Sequence, residues 1–75
     1  MQNIEEEILE NELHAKSLVL GKHISIAFNK LYGFGYSPVV IRRDKKVYSV
    51  MMTGIDPIRV QLYVDQNIVT NLIVG

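Results

Sequence analysis

The sequence predicts an α+β fold in which two amphipathic helices precede a strand-rich remainder. Three observations predict it. Apolar residues recur at helical spacing through the first 32 positions. Gly33-Phe34-Gly35 and Pro38 then stop that pattern. From Val39 onward, short runs rich in Val and Ile are separated by turn residues.

The first helix is expected over residues 3 to about 16. Asn3 can cap it, and Glu6 follows three positions later in a capping-box-like arrangement. Glu5, Glu6 and Glu7 suit the positive end of the helix dipole. Ile4, Ile8, Leu9 and Leu13 form a narrow apolar stripe that must pack on the chain's own sheet or on a partner. The rest of the surface is acidic, and a solvated face explains those glutamates better than an acid/base pair. Residues 17–21 break the pattern.

The second helix is expected over residues 24–32. Ile24, Ala27, Phe28 and Leu31 fall at i, i+3, i+4 and i+7, a one-face pattern. Gly33 suits the left-handed position just past its end. Val39-Val40-Ile41 then reads as a short strand, and Arg42-Arg43-Asp44-Lys45-Lys46 as a charged turn. Residues 47–52 read as extended and residues 53–57 as a break. Ile58, Val60, Leu62 and Val64 alternate with Arg59, Gln61 and Tyr63, the period-two signal of a strand with one buried face. Asp65-Gln66-Asn67 is a turn, and residues 68–74 form the last strand.

Composition narrows the function classes. The chain has 75 residues, 48% of them hydrophobic, enough for one small core without staples. Cysteine is absent, so no disulfide contributes, and with only His14 and His23 beside the carboxylates no structural zinc is expected. Eight Lys and Arg balance eight Asp and Glu, which weighs against nonspecific nucleic-acid binding as the main task. No apolar run approaches the roughly 20 residues of a membrane span. The opening Met1-Gln2-Asn3 before glutamates is not a secretory signal, so a cytoplasmic location is expected, or a secreted one for a processed form. Gly33-Phe34-Gly35 lacks the context of a phosphate loop, and none of Ser17, Ser25, Ser37 or Ser49 sits in a nucleophile elbow. An enzyme is therefore not expected, and no cofactor is implied.

One resemblance gives a sharper expectation. Leu18-Val19-Leu20-Gly21-Lys22, the block from Pro57 through Arg59-Val60-Gln61-Leu62-Tyr63-Val64 to Asp65, then Ile68-Val69-Thr70 and the final Val74-Gly75, are similar to the potato-type-I family of serine-protease inhibitors. That family includes barley chymotrypsin inhibitor, eglin-like proteins and small bacterial-type relatives. The resemblance covers residues 18–75, with residues 1–17 as an added acidic amphipathic helix. It implies a core helix packed on a small mixed β-sheet, with an exposed binding loop joining two parallel strands. Such a loop fills a protease cleft like a substrate and pairs with it through backbone hydrogen bonds. Rigidity makes it an inhibitor, because a loop already held in its bound shape loses little entropy on binding.

By the resemblance, the protease-binding loop comprises Val50, Met51, Met52, Thr53, Gly54 and Ile55. Counting back from Arg59 puts Thr53 before the scissile bond; a slip of one residue puts Met52 there. Arg59 matches one of the arginines that brace the loop, Gln61 stands where a second often lies, and the terminal carboxylate of Gly75 completes the brace if the chain ends there. Two positions depart from the family. Gly54 replaces an acidic bracing residue with a flexible one, and Gln61 lacks the charge-assisted fork of arginine.

Plainer readings stand beside these. Met51 and Met52 equally suit two faces of a strand, and Arg59 a solvated strand face. An all-antiparallel meander is the alternative to the mixed sheet. The alternative function is a non-inhibitory interaction module that assembles through the N-terminal helix. A weaker one is a nucleic-acid-associated protein using the basic turn. The expected partner is a serine protease of subtilisin or chymotrypsin type, or another protein.

Overall fold

The computed structural model describes residues 3–47 and 54–75. Its elements are α1 (Ile4–Val19), α2 (Ile24–Gly33), β1 (Ser37–Arg43), β2 (Lys46–Val47), β3 (Arg59–Asp65) and β4 (Ile68–Val74). The strands form one mixed sheet in the order β2-β1-β3-β4. β1 and β3 run parallel, whereas β1–β2 and β3–β4 are antiparallel hairpins. The α+β class and the mixed sheet are thus as expected, and the parallel β1–β3 pair overturns the meander.

Asn3 caps α1 as its side-chain oxygen accepts the backbone N–H of Glu6 at 2.8 Å. The helix outlasts the break expected at residues 17–21 and runs to Val19. The reason is burial: Val19 and Ala15 are inaccessible to solvent, and Ile8 and Leu18 pack beside them. This also corrects the apolar stripe. Ile4, Leu9 and Leu13 are 45%, 56% and 60% exposed. Ile8, Ala15 and Val19 share one direction on the helix, while Leu9 and Leu13 are turned from it by roughly 100° or more. The division expected between residues 17 and 18 falls inside this helix.

α2 is capped by His23, whose ring Nδ1 accepts the N–H of Ser25. Ala27 and Leu31 are fully buried, with Ile24 and Phe28 packed against them. The helix ends one residue later than expected, and Gly35, not Gly33, takes the left-handed position at φ +85°. Tyr36 N–H returns to Leu31 C=O and Gly35 N–H to Tyr32 C=O, both at 3.0 Å, the paired bonds of a Schellman ending. That ending sends Tyr36 into the core, where burial pushes its phenol up from the ordinary value. Its hydroxyl meets His14 Nδ1 at 2.7 Å.

β3 alternates as its sequence predicts: Val60, Leu62 and Val64 are buried, and Arg59, Gln61, Tyr63 and Asp65 face outward. Ile58 departs from the alternation at 42% exposed, because it precedes the strand. β1 is longer than the three residues expected, since the Schellman ending delivers the chain to the sheet at Ser37. Leu62 faces Val40 on one side and Leu72 on the other, the centre of the core. Both helices cover this face of the sheet. The other face carries Arg42, whose guanidinium lies 5.7 Å from the centre of the Tyr63 ring. No helix among the described residues is long and apolar enough to cross a membrane.

Candidate functional site

The sheet has two ends. At one, β1 turns into β2 and β3 into β4. At the other, β3 begins, β4 finishes at Val74 with Gly75 just beyond it, and residues 54–58 approach from the long connection after β2. The second end holds the polar contacts that carry a functional argument.

Arg59 is the first residue of β3 and points to the sheet's outer face. Its Nε donates to the main-chain oxygen of Gly75 at 2.8 Å, and one terminal guanidinium nitrogen donates to the carbonyl of Gly54 at 2.8 Å. Two residues on, and so on the same face, Gln61 donates its side-chain N–H to the same Gly75 oxygen at 2.9 Å. Gly75 N–H in turn donates to the carbonyl of Arg59 at 3.1 Å. Arg59, Gln61, Gly75 and Gly54 therefore form one connected group. Arginine's planar fork explains how one side chain spans two carbonyls.

Gly54 has φ +78°, a conformation that side chains with a Cβ rarely adopt. The glycine lets the backbone turn so that its carbonyl reaches Arg59. The grip is on the main chain, where no acidic side chain is needed. Ile55 follows with two-thirds of its surface exposed. Asp56 then makes a local turn, its carboxylate accepting the N–H of Ile58 at 3.0 Å and its carbonyl accepting that of Arg59 at 3.2 Å. Pro57 fixes its own φ, and Ile58 C=O accepts Ser37 N–H at 2.8 Å, joining the segment to β1.

Two contacts from α1 complete the site, and sequence reasoning missed both. Asn11 donates its side-chain amide to the carbonyl of Pro57 at 2.7 Å. Glu12 accepts the N–H of Val74 at 3.1 Å and lies 3.8 Å from Lys16. A signal was present in the sequence. Asn11 and Glu12 interrupt the face made by Ile8, Ala15 and Val19, where apolar residues would otherwise continue.

Among the expected loop residues, Gly54 and Ile55 are described; Val50, Met51, Met52 and Thr53 lie outside the described residues, as does most of the extended run expected over 47–52. Expected supports Arg59, Gln61 and Gly75 lie together. Among the described residues no group of three acidic or histidine side chains gathers to hold a metal ion. What the arrangement offers is an exposed segment whose backbone is held at residues 54, 56, 57 and 58. No family model matches the chain, and neither the curated proteins nor the solved structures contain a match.

Proposed function

We propose that this chain is a serine-protease inhibitor-like protein that presents residues 50–55 to a protease cleft as a substrate-like loop. The observation that carries the reading is the double grip of Arg59 on Gly54 and Gly75, shared by Gln61. It fixes the exit of the loop to the body of the sheet by charge-assisted bonds. A connection between parallel strands β1 and β3, restrained where it returns, is compatible with strand-like docking in a cleft. The gain is in affinity, because restraint present before binding lowers the entropy lost on binding. In this reading Met52 or Thr53 precedes the bond presented to the protease, and main-chain capture at Gly54 stands in for the acidic brace of the resembling family.

The test is titration of subtilisin, chymotrypsin and elastase with the purified chain, followed by intact-mass analysis. Expected is stoichiometric inhibition of at least one protease, with the chain intact or cut once between Met51 and Ile55. Digestion through residues 48–58, or full residual activity at all inhibitor concentrations, overturns the reading.

A second reading has its own support. Leu9 and Leu13 are more than half exposed on α1, which suits an interaction module that assembles through that helix. Sedimentation of the chain and of Leu9→Glu/Leu13→Glu over a hundredfold range of concentration separates the readings. Assembly abolished by the double substitution favours this one.

A further inference from the structure

The helix that precedes the inhibitor-like region reaches the same group of residues. Asn11 and Glu12 are consecutive on α1, yet they hold two different strands of chain. Asn11 holds Pro57 at the exit of the loop. Glu12 holds Val74, next to the Gly75 whose oxygen receives Arg59 and Gln61. Both contacts are half-buried, and α1 is anchored beneath them by Ala15 and Val19, which solvent does not reach. A rigid element thus grips both the segment to be held and the strand end that holds it.

We infer that α1 is a second brace of the loop and that Asn11 is a positioning residue, setting the main chain at Pro57 through its side-chain amide. Arg59, itself tied with Gln61 to Gly75, restrains the segment from the outer face of the sheet, and Asn11 restrains it from the helical side. The two restraints meet the segment at different carbonyls, Gly54 and Pro57. With both in place, residues 54–58 are held from opposite sides. The consequence for protease binding rests on the function proposed above, whereas the restraint itself does not.

The test uses the full chain and the variants Asn11→Asp and Asn11→Gln. The aspartate has nearly the same shape but sets an acceptor against the Pro57 carbonyl. The glutamine keeps the donor on a longer stem. Amide hydrogen exchange is followed at Ile58, Arg59 and Ser37, which bond within or beside the segment, and at Leu62 and Leu72 in the core. Expected in Asn11→Asp is exchange faster by about tenfold at the first three amides, matching the loss of roughly one net hydrogen bond, with Leu62 and Leu72 unchanged. Asn11→Gln recovers part of the protection. In the protease titration, the inhibition constant of Asn11→Asp rises by a similar factor and cleavage at the loop quickens. Unchanged exchange at the three amides, or an equal acceleration at the core amides, overturns the brace. A wild-type chain that inhibits nothing while Asn11→Asp still exchanges faster at Ile58 and Arg59 upholds the brace and removes only the inhibitor reading. A wild-type chain that inhibits, with Asn11→Asp identical to it in both assays, does the reverse.

Discussion

The two ends of the sheet are built by different means. At the turn end, Asp44-Lys45 joins β1 to β2 and Gln66-Asn67 joins β3 to β4, each a two-residue connection with both residues at positive φ. This is the left-handed pair that type I′ hairpins use, because its twist matches that of the strands. The two turns are tied to each other: Asp44 accepts Gln66 N–H at 2.8 Å, Asp44 N–H reaches Val64 C=O, and Arg43 bonds the side chain of Asn67. At the loop end short-range ties, such as that of Arg59 to Gly54, are joined by remote ones from α1. Asn11 is 46 residues from Pro57, and Glu12 is 62 residues from Val74. One end is tied turn to turn; the other is tied to its own residues and to α1 as well. Residues 54–58 are thus shaped both by their own turn residues and by a helix far away in sequence.

The strongest way to break the contrast is to loosen what both ends share. Leu62 sits in the middle of β3, with Val40 and Leu72 beside it, and no part of it meets solvent. Leu62→Ala should cost about 2–5 kcal/mol, the transfer term plus a cavity that a close-packed core closes poorly. Measured by urea unfolding, both ends should fail in one transition. Survival of either set of turn or loop contacts past the global midpoint would show that the ends are not coupled through this core.

Arg59 sharpens the comparison instead. Arg59→Ala removes the bonds to Gly54 and Gly75 but leaves the β3 backbone paired. The expected cost is about 1–2 kcal/mol, below the upper range for charged hydrogen bonds because the guanidinium is partly solvated. The larger effect should be local, a faster cut by subtilisin within residues 50–58 with the turn end unaffected. Equal protection of wild type and variant against that cut would remove Arg59 from the brace.

The same contrast decides what the sequence made legible. Both helices, the two turns, the alternation of β3 and the last strand follow from patterns spanning a few residues, and local physics sets them. Gly35 displaced Gly33 at the end of α2 because the glycine that meets the core-seeking Tyr36 completes the Schellman pair, and two candidates two positions apart look alike in sequence. The stripe on α1 misled because Leu9 and Leu13 fit a helical period without facing the sheet; Ala15, too small to stand out, marks the buried side. At the loop end, Arg59, Gln61 and Gly75 stand out through the resemblance, whereas the polar break that Asn11 and Glu12 make in the buried face of α1 does not name Pro57 as a partner. That contact exists only once the helix lies across the end of β4.

The smallest expected effect tests whether the ends are independent. Lys45 has φ +69° without the glycine that type I′ turns favour at that position. A left-handed residue with a Cβ carries a strain of about 1–2 kcal/mol, and glycine relieves it. Glycine also widens the unfolded ensemble, which takes back about 0.5–1 kcal/mol. Lys45→Gly should therefore raise stability by about 0.5 kcal/mol, read as a higher urea midpoint with an unchanged slope. The turn and Arg59 are separated by the length of β3, roughly 20 Å for seven residues of strand. At that distance the effects of Lys45→Gly and Arg59→Ala should add to within about 0.5 kcal/mol. Additivity would mean that each end is held by its own contacts, so that loop sequences can be exchanged without disturbing the turns. A larger coupling would mean that strain at the turns is felt at Gly54, and the sheet, more than the side-chain braces, would then be what sets the loop.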